Sequence, residues 1–314
     1  MKNLIQKEYK QKIKLLNHYN QRYYNENFSE ITDSEYDLLK KEIIDLEKKY
    51  EFLKSNNSPS NLVGFKPSKN FKKALHKVPM LSLANAFNED DLLNFEKKIL
   101  NFLSQNNNSN ISYTAEPKID GISASLTYLK GKLISGLSRG DGKEGEDITL
   151  NLKTINDIPK NISSKDFPEE IDIRGEVFIQ NSDFENLKEK FANPRNAASG
   201  SLRQKNPDDT KKIPLKFIAY TFGFEKGLKV NNQFEYLKRL RDWGFKTNPL
   251  NKLITGVSNL IKNYNDVEKK RVNLDFDIDG IVYKVNDFSL QRRLGFVANA
   301  PRWAIAHKFS SDKA

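Results

Sequence analysis

The sequence predicts an α+β protein: a small N-terminal helical domain, residues 1–62, ahead of a larger domain, residues 63–314, of mainly antiparallel sheets flanked by helices. Three observations lead there. Residues 4–26 hold neither Gly nor Pro and are rich in Lys, Gln, Leu and Tyr, and a second helical pattern follows at 32–46. Stretches at 111–128, 171–178 and 275–286 alternate with the two-residue period of strands. The chain lacks the repeated strand–helix alternation of a doubly wound parallel sheet.

The second helix opens at Thr32-Asp33-Ser34-Glu35, which fits a capping box, and Tyr36, Leu39, Ile43 and Leu46 give it a buried stripe. Asp33, Tyr36 and Asp37 stand at i, i+3 and i+4 and cluster over its first turn. Carboxylates there also suit the helix dipole, so capping is the ordinary alternative to a binding role. Residues 55–61 read as a linker. Pro79-Met80-Leu81-Ser82-Leu83 then precedes a helix at about 88–103, and an Asn- and Ser-rich turn leads to the next strands.

Glu116-Pro117-Lys118-Ile119-Asp120-Gly121 lies between two alternating segments. If extended, it sets Glu116, Lys118 and Asp120 on one face and Pro117 and Ile119 on the other. Three charges of mixed sign on one face are costly to bury unless paired or bound. One reading is an exposed edge strand with a salt bridge, which Pro117 suits. The other is a lysine held and aimed between acids as an amine nucleophile.

Residues 136–145 contain two patterns that are set aside. Gly136-Leu137-Ser138-Arg139-Gly140 matches the serine-hydrolase elbow, but that needs a helix straight after Ser138, where Gly140, Gly142 and Gly145 oppose one. Residues 140–145 match the G-x-G-x-x-G dinucleotide fingerprint, but Asp141, Glu144, Glu146 and Asp147 would crowd a pyrophosphate. Further on, Glu176 sits beside Gly175 in a strand, with plain solvent exposure as its alternative. Residues 191–203 bring Arg195 and Arg203 into a loop rich in small residues, where backbone and guanidinium forks can meet phosphates. Tyr220 follows in a strand at 217–220, and helices are expected at 233–243 and 256–270. Lys284 and Lys308 occupy otherwise apolar strand faces, so each needs an anionic partner.

Composition narrows the classes. The 314 residues carry 52 basic and 41 acidic side chains, a formal net charge of +11, which favours a nucleic acid or nucleotide partner over a neutral one. A merely basic protein is the alternative. With no Cys, disulfides and cysteine-based zinc sites are excluded, and His18, His76 and His307 lack metal-ligand spacing. Residues 1–7 lack a signal peptide's apolar run, and no segment could span a membrane, so a cytoplasmic protein is expected.

The Lys118 segment resembles the K-x-D-G nucleophile motif of covalent nucleotidyltransferases: DNA ligases, RNA ligases and mRNA capping enzymes. The whole chain is similar to one branch, the bacterial NAD-dependent DNA ligases, with at least six motifs in the family's order. That resemblance implies a nicotinamide-mononucleotide-binding unit at 1–62, with Tyr23, Asp33, Tyr36 and Asp37 holding the nicotinamide half of NAD. Tyr24 stands where the family commonly has His. It also implies a nucleotidyltransferase domain at 63–314. There Ser82 and Leu83 would line the adenosine site, and Arg139, in a full match to R-G-D-G-x-x-G-E-D-I-T, would contact the nucleotide. Glu176 would bind the ribose and Tyr220 would stack on adenine. Glu116, Arg195, Arg203 and Asp279 would add further nucleotide contacts, and Lys284 and Lys308 would hold the α-phosphate.

The reaction implied is attack by Lys118 on the adenylyl phosphorus of NAD, releasing nicotinamide mononucleotide, as the first step in sealing nicked duplex DNA. Lys118, Asp120, Lys284 and Lys308 would be catalytic. The two other lysines favour a neutral Lys118 amine and Asp120 the charged form. Mg²⁺ is expected, with Asp120, Glu176 and Asp279 as candidate ligands, and zinc is not. The family's OB-fold, zinc finger, helix-hairpin-helix and BRCT domains have no counterpart in the sequence. A monomeric fragment is therefore expected, one that adenylates itself, binds nicked DNA weakly and seals it poorly. The rivals are an ATP-dependent nucleotidyltransferase of ligase or capping type, and a basic nucleic-acid-binding module without chemistry.

Overall fold

The computed structural model describes residues 2–26, 30–31, 33–53, 58, 71–104, 111–297 and 300–310, without the side chains of 23–26, 33 and 34. The expectations for Tyr23, Tyr24 and the Asp33 side chain, and for the Thr32 cap, lie outside the described residues. Helices α1 (Lys2–Glu26) and α2 (Asp33–Lys49) open the chain. Tyr9 donates to Glu47 at 2.7 Å, Lys12 to Glu42 at 2.7 Å and Tyr36 to Asn20 at 2.8 Å, a descending order that makes the pair antiparallel. Its apolar seam is thin, with Leu16 and Ile43 buried, so polar contacts carry much of the pairing.

Strands β1 (Lys73–Leu75) and β2 (Ala84–Ala86) flank the irregular segment 76–83. Helix α3 (Glu89–Leu103) follows, capped by the Asn88 side chain, which accepts from the Asp91 N–H. Next come β3 (Ser112–Ile119), β4 (Ile122–Leu129), β5 (Lys132–Ser138), β6 (Glu144–Glu146), α4 (Thr149–Leu152), β7 (Glu170–Phe178) and α5 (Asn181–Phe184). Then α6 (Pro194–Leu202), α7 (Pro207–Lys211), β8 (Lys216–Lys226), α8 (Gln233–Asp242), β9 (Lys252–Thr255) and α9 (Val257–Arg271). The described part closes with β10 (Ile278–Val285), α10 (Phe288–Leu294), β11 (Phe296–Val297), β12 (Ala300–Pro301) and β13 (Ala304–Lys308).

Two larger sheets organise these elements, one of five strands in the order β2-β13-β10-β3-β9 and one of four, β5-β4-β7-β8. All their pairings are antiparallel except β13 with β2. Leu92, Ile99 and Leu103 of α3 and Leu260 and Val267 of α9 pack on Tyr113, Ile281 and Tyr283 of the five-stranded sheet. Leu126, Tyr128, Ile173 and Phe217 of the four-stranded sheet form a second core with α6 and α8 through Ala197, Ala198, Tyr236 and Leu240. The chain crosses between the sheets at Asp120-Gly121, directly after Lys118. Gly121 is required there, because a Cβ would strike the Val177 carbonyl.

The fold settles several expectations. The exposed-edge reading of the Lys118 segment is corrected: β3 lies between β10 and β9, and Glu116 is only 4% exposed. Pro117 is tolerated because β9 pairs β3 no further than Ala115. Ser138 ends a strand that turns through Gly140 and Gly142, at φ +57° and +88°, into β6 rather than a helix. Neither the hydrolase elbow nor the dinucleotide fingerprint has its required context. Residues 191–203 are also corrected, since most of the expected loop is α6. Asn193 accepts from the Asn196 N–H as N-cap, Pro194 takes the first turn, and small residues let the helix pack closely. Among the described residues no helix is long and apolar enough to cross a membrane.

Candidate active site

The register of three strands aligns the lysines. Gly280 of β10 faces Lys118 on one side and Lys308 of β13 on the other, and Lys284 lies between Thr114 and Ala304. Glu116, Lys118, Lys284 and Lys308 therefore share one sheet face, while Tyr113, Ile281 and Tyr283 point into the core behind. Alternation alone would send Asp279 to the opposite face from Gly280. A register shift between Ile278 and Gly280 makes Asp279 the extra residue of a β-bulge and re-aims its carboxylate.

Asp279 Oδ2 accepts from both Lys118 Nζ and Lys308 Nζ, each at 2.9 Å. Burial works against its charge, yet the two ammonium groups outweigh burial and hold its carboxyl well below the usual range. Lys308 also pairs with Asp37 Oδ2 of α2 at 2.5 Å, which ties the helical pair to the sheet. Lys284 Nζ donates to Glu116 Oε2 at 2.8 Å and to the Tyr220 carbonyl at 3.0 Å. The other oxygen of Glu116 accepts from Thr114 Oγ1 at 2.7 Å and Gln233 Nε2 at 3.0 Å. The anionic partners that Lys284 and Lys308 require are thus Glu116, and Asp279 with Asp37.

Asp120, at the crossing between sheets, accepts from Arg195 Nη1 at 2.5 Å, and Asp279 is the carboxylate on Lys118. Glu176 accepts from Ser123 Oγ at 2.9 Å and from the Tyr220 hydroxyl at 3.4 Å. Burial pushes its carboxyl up to about 7, against the pull of Lys118 and Arg195. Solvent exposure is therefore not its role. Arg139 Nη2 donates to Ser82 Oγ at 2.9 Å. Arg174, which the sequence did not single out, holds the Val78 and Pro79 carbonyls and so fixes the segment carrying Ser82.

These side chains line a cavity of about 1540 Å³ between the sheets, α2 and α3. It brings together Tyr36, Asp37, Ser82, Leu83, Glu116, Lys118, Arg139, Glu176, Arg195, Tyr220, Lys284 and Lys308. Asp279 and Asp120 are not among the lining residues; each accepts from cations that are, Asp279 from Lys118 and Lys308 and Asp120 from Arg195. Arg203 departs from expectation: its Nε donates to buried Glu146 at 2.8 Å, away from the cavity wall. Asn248 and Asn251 also line the cavity, and sequence reasoning missed both, because Thr-Asn-Pro-Leu-Asn reads only as a turn. Among the described residues no three His, Cys, Asp or Glu side chains gather to hold a metal ion. Asp120, Glu176 and Asp279 do not form a shared magnesium cage.

Comparison with known proteins adds the family. Residues 68–312 match the NAD-dependent DNA ligase adenylation domain, and residues 2–64 the DNA ligase-like, N-terminal NAD+-binding domain. A DNA ligase of Pelagibacter ubique is 67% identical over 307 residues, covering 98% of this chain and 45% of that protein. A DNA ligase of Parvibaculum lavamentivorans is 46% identical over 93% of this chain and 42% of its own length. One from Methylorubrum extorquens is 45% identical over 94% and 37%. The chain thus spans less than half the length of these curated relatives. With a lysine-bearing cleft between two antiparallel sheets and a match across nearly all its residues, the chain belongs to the NAD-dependent DNA ligase adenylation-domain family.

Proposed function

We propose that this chain performs the self-adenylation step of an NAD-dependent DNA ligase. One observation carries the assignment of the nucleophile: Lys118 keeps 27% of its side chain exposed to the cleft, whereas Lys284 and Lys308 keep 7% and 3%. Its ammonium first loses one proton to solvent, Nζ then forms the new N–P bond to the adenylyl phosphorus as the P–O bond to nicotinamide mononucleotide breaks with its electron pair on the departing phosphate, and a second N–H proton leaves to give the lysyl-AMP phosphoramidate. Asp279 aims the amine. Lys284 and Lys308 supply charge where the phosphate oxygens become more negative. Glu116, Arg139, Tyr220, Ser82 and Leu83 hold the adenosine half, Glu176 the ribose, and Arg195 with Asp120 the floor beside the reacting atoms. Arg203 is left out of this set because it is engaged with Glu146.

Residues 1–62 are assigned to the nicotinamide half, with Tyr36 and Asp37 reaching the cleft. Their aromatic and anionic character suits a cationic pyridinium. Mg²⁺ would enter with the substrate phosphates, keep most of its water and offset their negative charge. Nicked duplex DNA is the downstream partner, matched in sign by the +11 charge, in a cytoplasmic, monomeric setting.

Intact-mass spectrometry after incubation with Mg²⁺ and either NAD or ATP tests the proposal. The expected result is a gain of one AMP from NAD, absent in Lys118→Ala. The same gain from ATP alone would transfer the protein to the ATP-dependent branch. No adduct from either, and no AMP released on adding nicotinamide mononucleotide, would leave a binding module without chemistry.

A further inference from the structure

Helix α2 turns one face toward the cleft. Lys40 follows Tyr36 by four residues and Asp37 by three, so the three share that face, and all three line the cavity. Tyr36 and Asp37 are bonded within the protein, to Asn20 and to Lys308. Lys40 is not. Among the described residues its half-buried side chain has neither a hydrogen bond nor an ion pair. The other lysines of α2 are placed: Lys41 over the Phe87 ring, Lys48 at 3.9 Å from Asp45 and Lys49 over the Tyr50 ring. Burial lowers the ammonium pKa of Lys40 from its ordinary value, nearby Asp37 opposes that, and Arg139 adds to it by repulsion. Asp37 is already engaged by Lys308 at 2.5 Å. Two cations that repel each other, one on α2 and one in the loop after β5, thus face one cavity. An ammonium so placed is costly alone and favourable once an anion reaches it.

We propose that Lys40 binds the phosphate of the nicotinamide mononucleotide half, the phosphate that departs. The diphosphate of NAD brings two anionic groups to the cleft. The adenylyl phosphate falls to the sheet lysines, whereas Lys40 comes from the helical unit that carries Tyr36 and Asp37 and so lies on the nicotinamide side. When the P–O bond breaks, its electron pair stays on the departing phosphate, which gains a second negative charge. Lys40 meets that charge as it forms, and Arg139 faces it from the larger domain. This inference rests on the adenylation reading above and adds to it the residue that receives the leaving group.

Single-turnover adenylation of the full chain from NAD, followed by intact mass, tests it together with calorimetric titration by AMP. Lys40→Met keeps the stem and removes the charge. At subsaturating NAD it should adenylate at least about tenfold more slowly than wild type, the worth of one charge-assisted hydrogen bond. Its affinity for AMP should not change, and Lys40→Arg should recover most of the rate. Nicotinamide mononucleotide should inhibit wild type better than nicotinamide riboside, which lacks the phosphate, and Lys40→Met should lose most of that preference. Unchanged adenylation in Lys40→Met would overturn the inference and leave the adenylation reading intact. So would an equal loss toward both inhibitors, or a matching loss of AMP binding. Removing an ammonium without a partner should not lower Tm. Should Lys40→Met fail to fold, Lys40→Gln takes its place, and a chain that folds with neither would show that the ammonium has a partner in the protein and overturn the inference. A wild type that gains no AMP from NAD would remove both readings.

Discussion

At the scale of single residues, the site depends on charges withdrawn from water in matched sets. Lys284 and Glu116 are both nearly sealed, at 7% and 5% side-chain exposure. Glu116→Gln therefore leaves a buried ammonium short of its counter-charge and should cost roughly 3 to 5 kcal/mol in urea unfolding. Glu116→Gln with Lys284→Met should recover most of that stability and still fail to adenylate. No recovery in the double variant, or no loss in the single one, would break the argument. Glu176 predicts a pH effect of defined sign. Its carboxyl titrates near 7 when folded and near 4.5 when not, so between those values the folded chain holds more protons. Stability then falls as pH rises from about 4.5 through 7, by on the order of 3 kcal/mol. Melting temperatures from pH 5 to 8 should decline more steeply for wild type than for Glu176→Gln, and parallel curves would refute the assignment.

At the scale of elements, α2 and α6 position chemistry that β-strands carry. Asp37 on α2 pairs with Lys308, and Lys41 lies 4.3 Å from the Phe87 ring centre, so these contacts help fasten the helical pair to the larger domain. Asp37→Asn should raise amide hydrogen exchange across α1 and α2 while leaving β10 and β13 protected. Unchanged exchange would mean that this ion pair does not hold the helices. In α6, Asn193→Ala removes the cap and should lower stability by about 1 kcal/mol, loosening the Arg195 contact to Asp120 as well. The helix was legible in principle, since Asn193-Pro194 is a start signal. The small residues after it outweighed that signal in a loop reading. The bulge at Asp279 was not legible, because nothing in Ile278-Asp279-Gly280 distinguishes a bulge from regular alternation.

At the scale of the whole molecule, neither sheet core includes, among the described residues, one before Phe71. A chain starting at Phe71 should therefore fold, with a cooperative thermal transition, and fail to take AMP from NAD. Aggregation on expression would show that the helical pair is needed for folding itself. The same architecture explains what could be read from the sequence. That Lys284 needed an anion followed from its apolar strand. That the anion is Glu116, 168 positions earlier, follows only from strand register. Local motifs named the participants, and long-range pairing decided which of them meet.

One feature of the sheet order extends to how the protein is made. β13 is inserted between β10 and β2, and Ala84 pairs with Ile305 across most of the chain. During synthesis β2 emerges long before the strand that anchors it, and loop closure over such a distance slows folding. Until β13 arrives, β10 presents an unpaired edge open to wrong partners, and Lys308 is missing from the cleft. In a nascent chain the lysine-bearing cleft is therefore incomplete until late, because the strand that completes the sheet also brings Lys308.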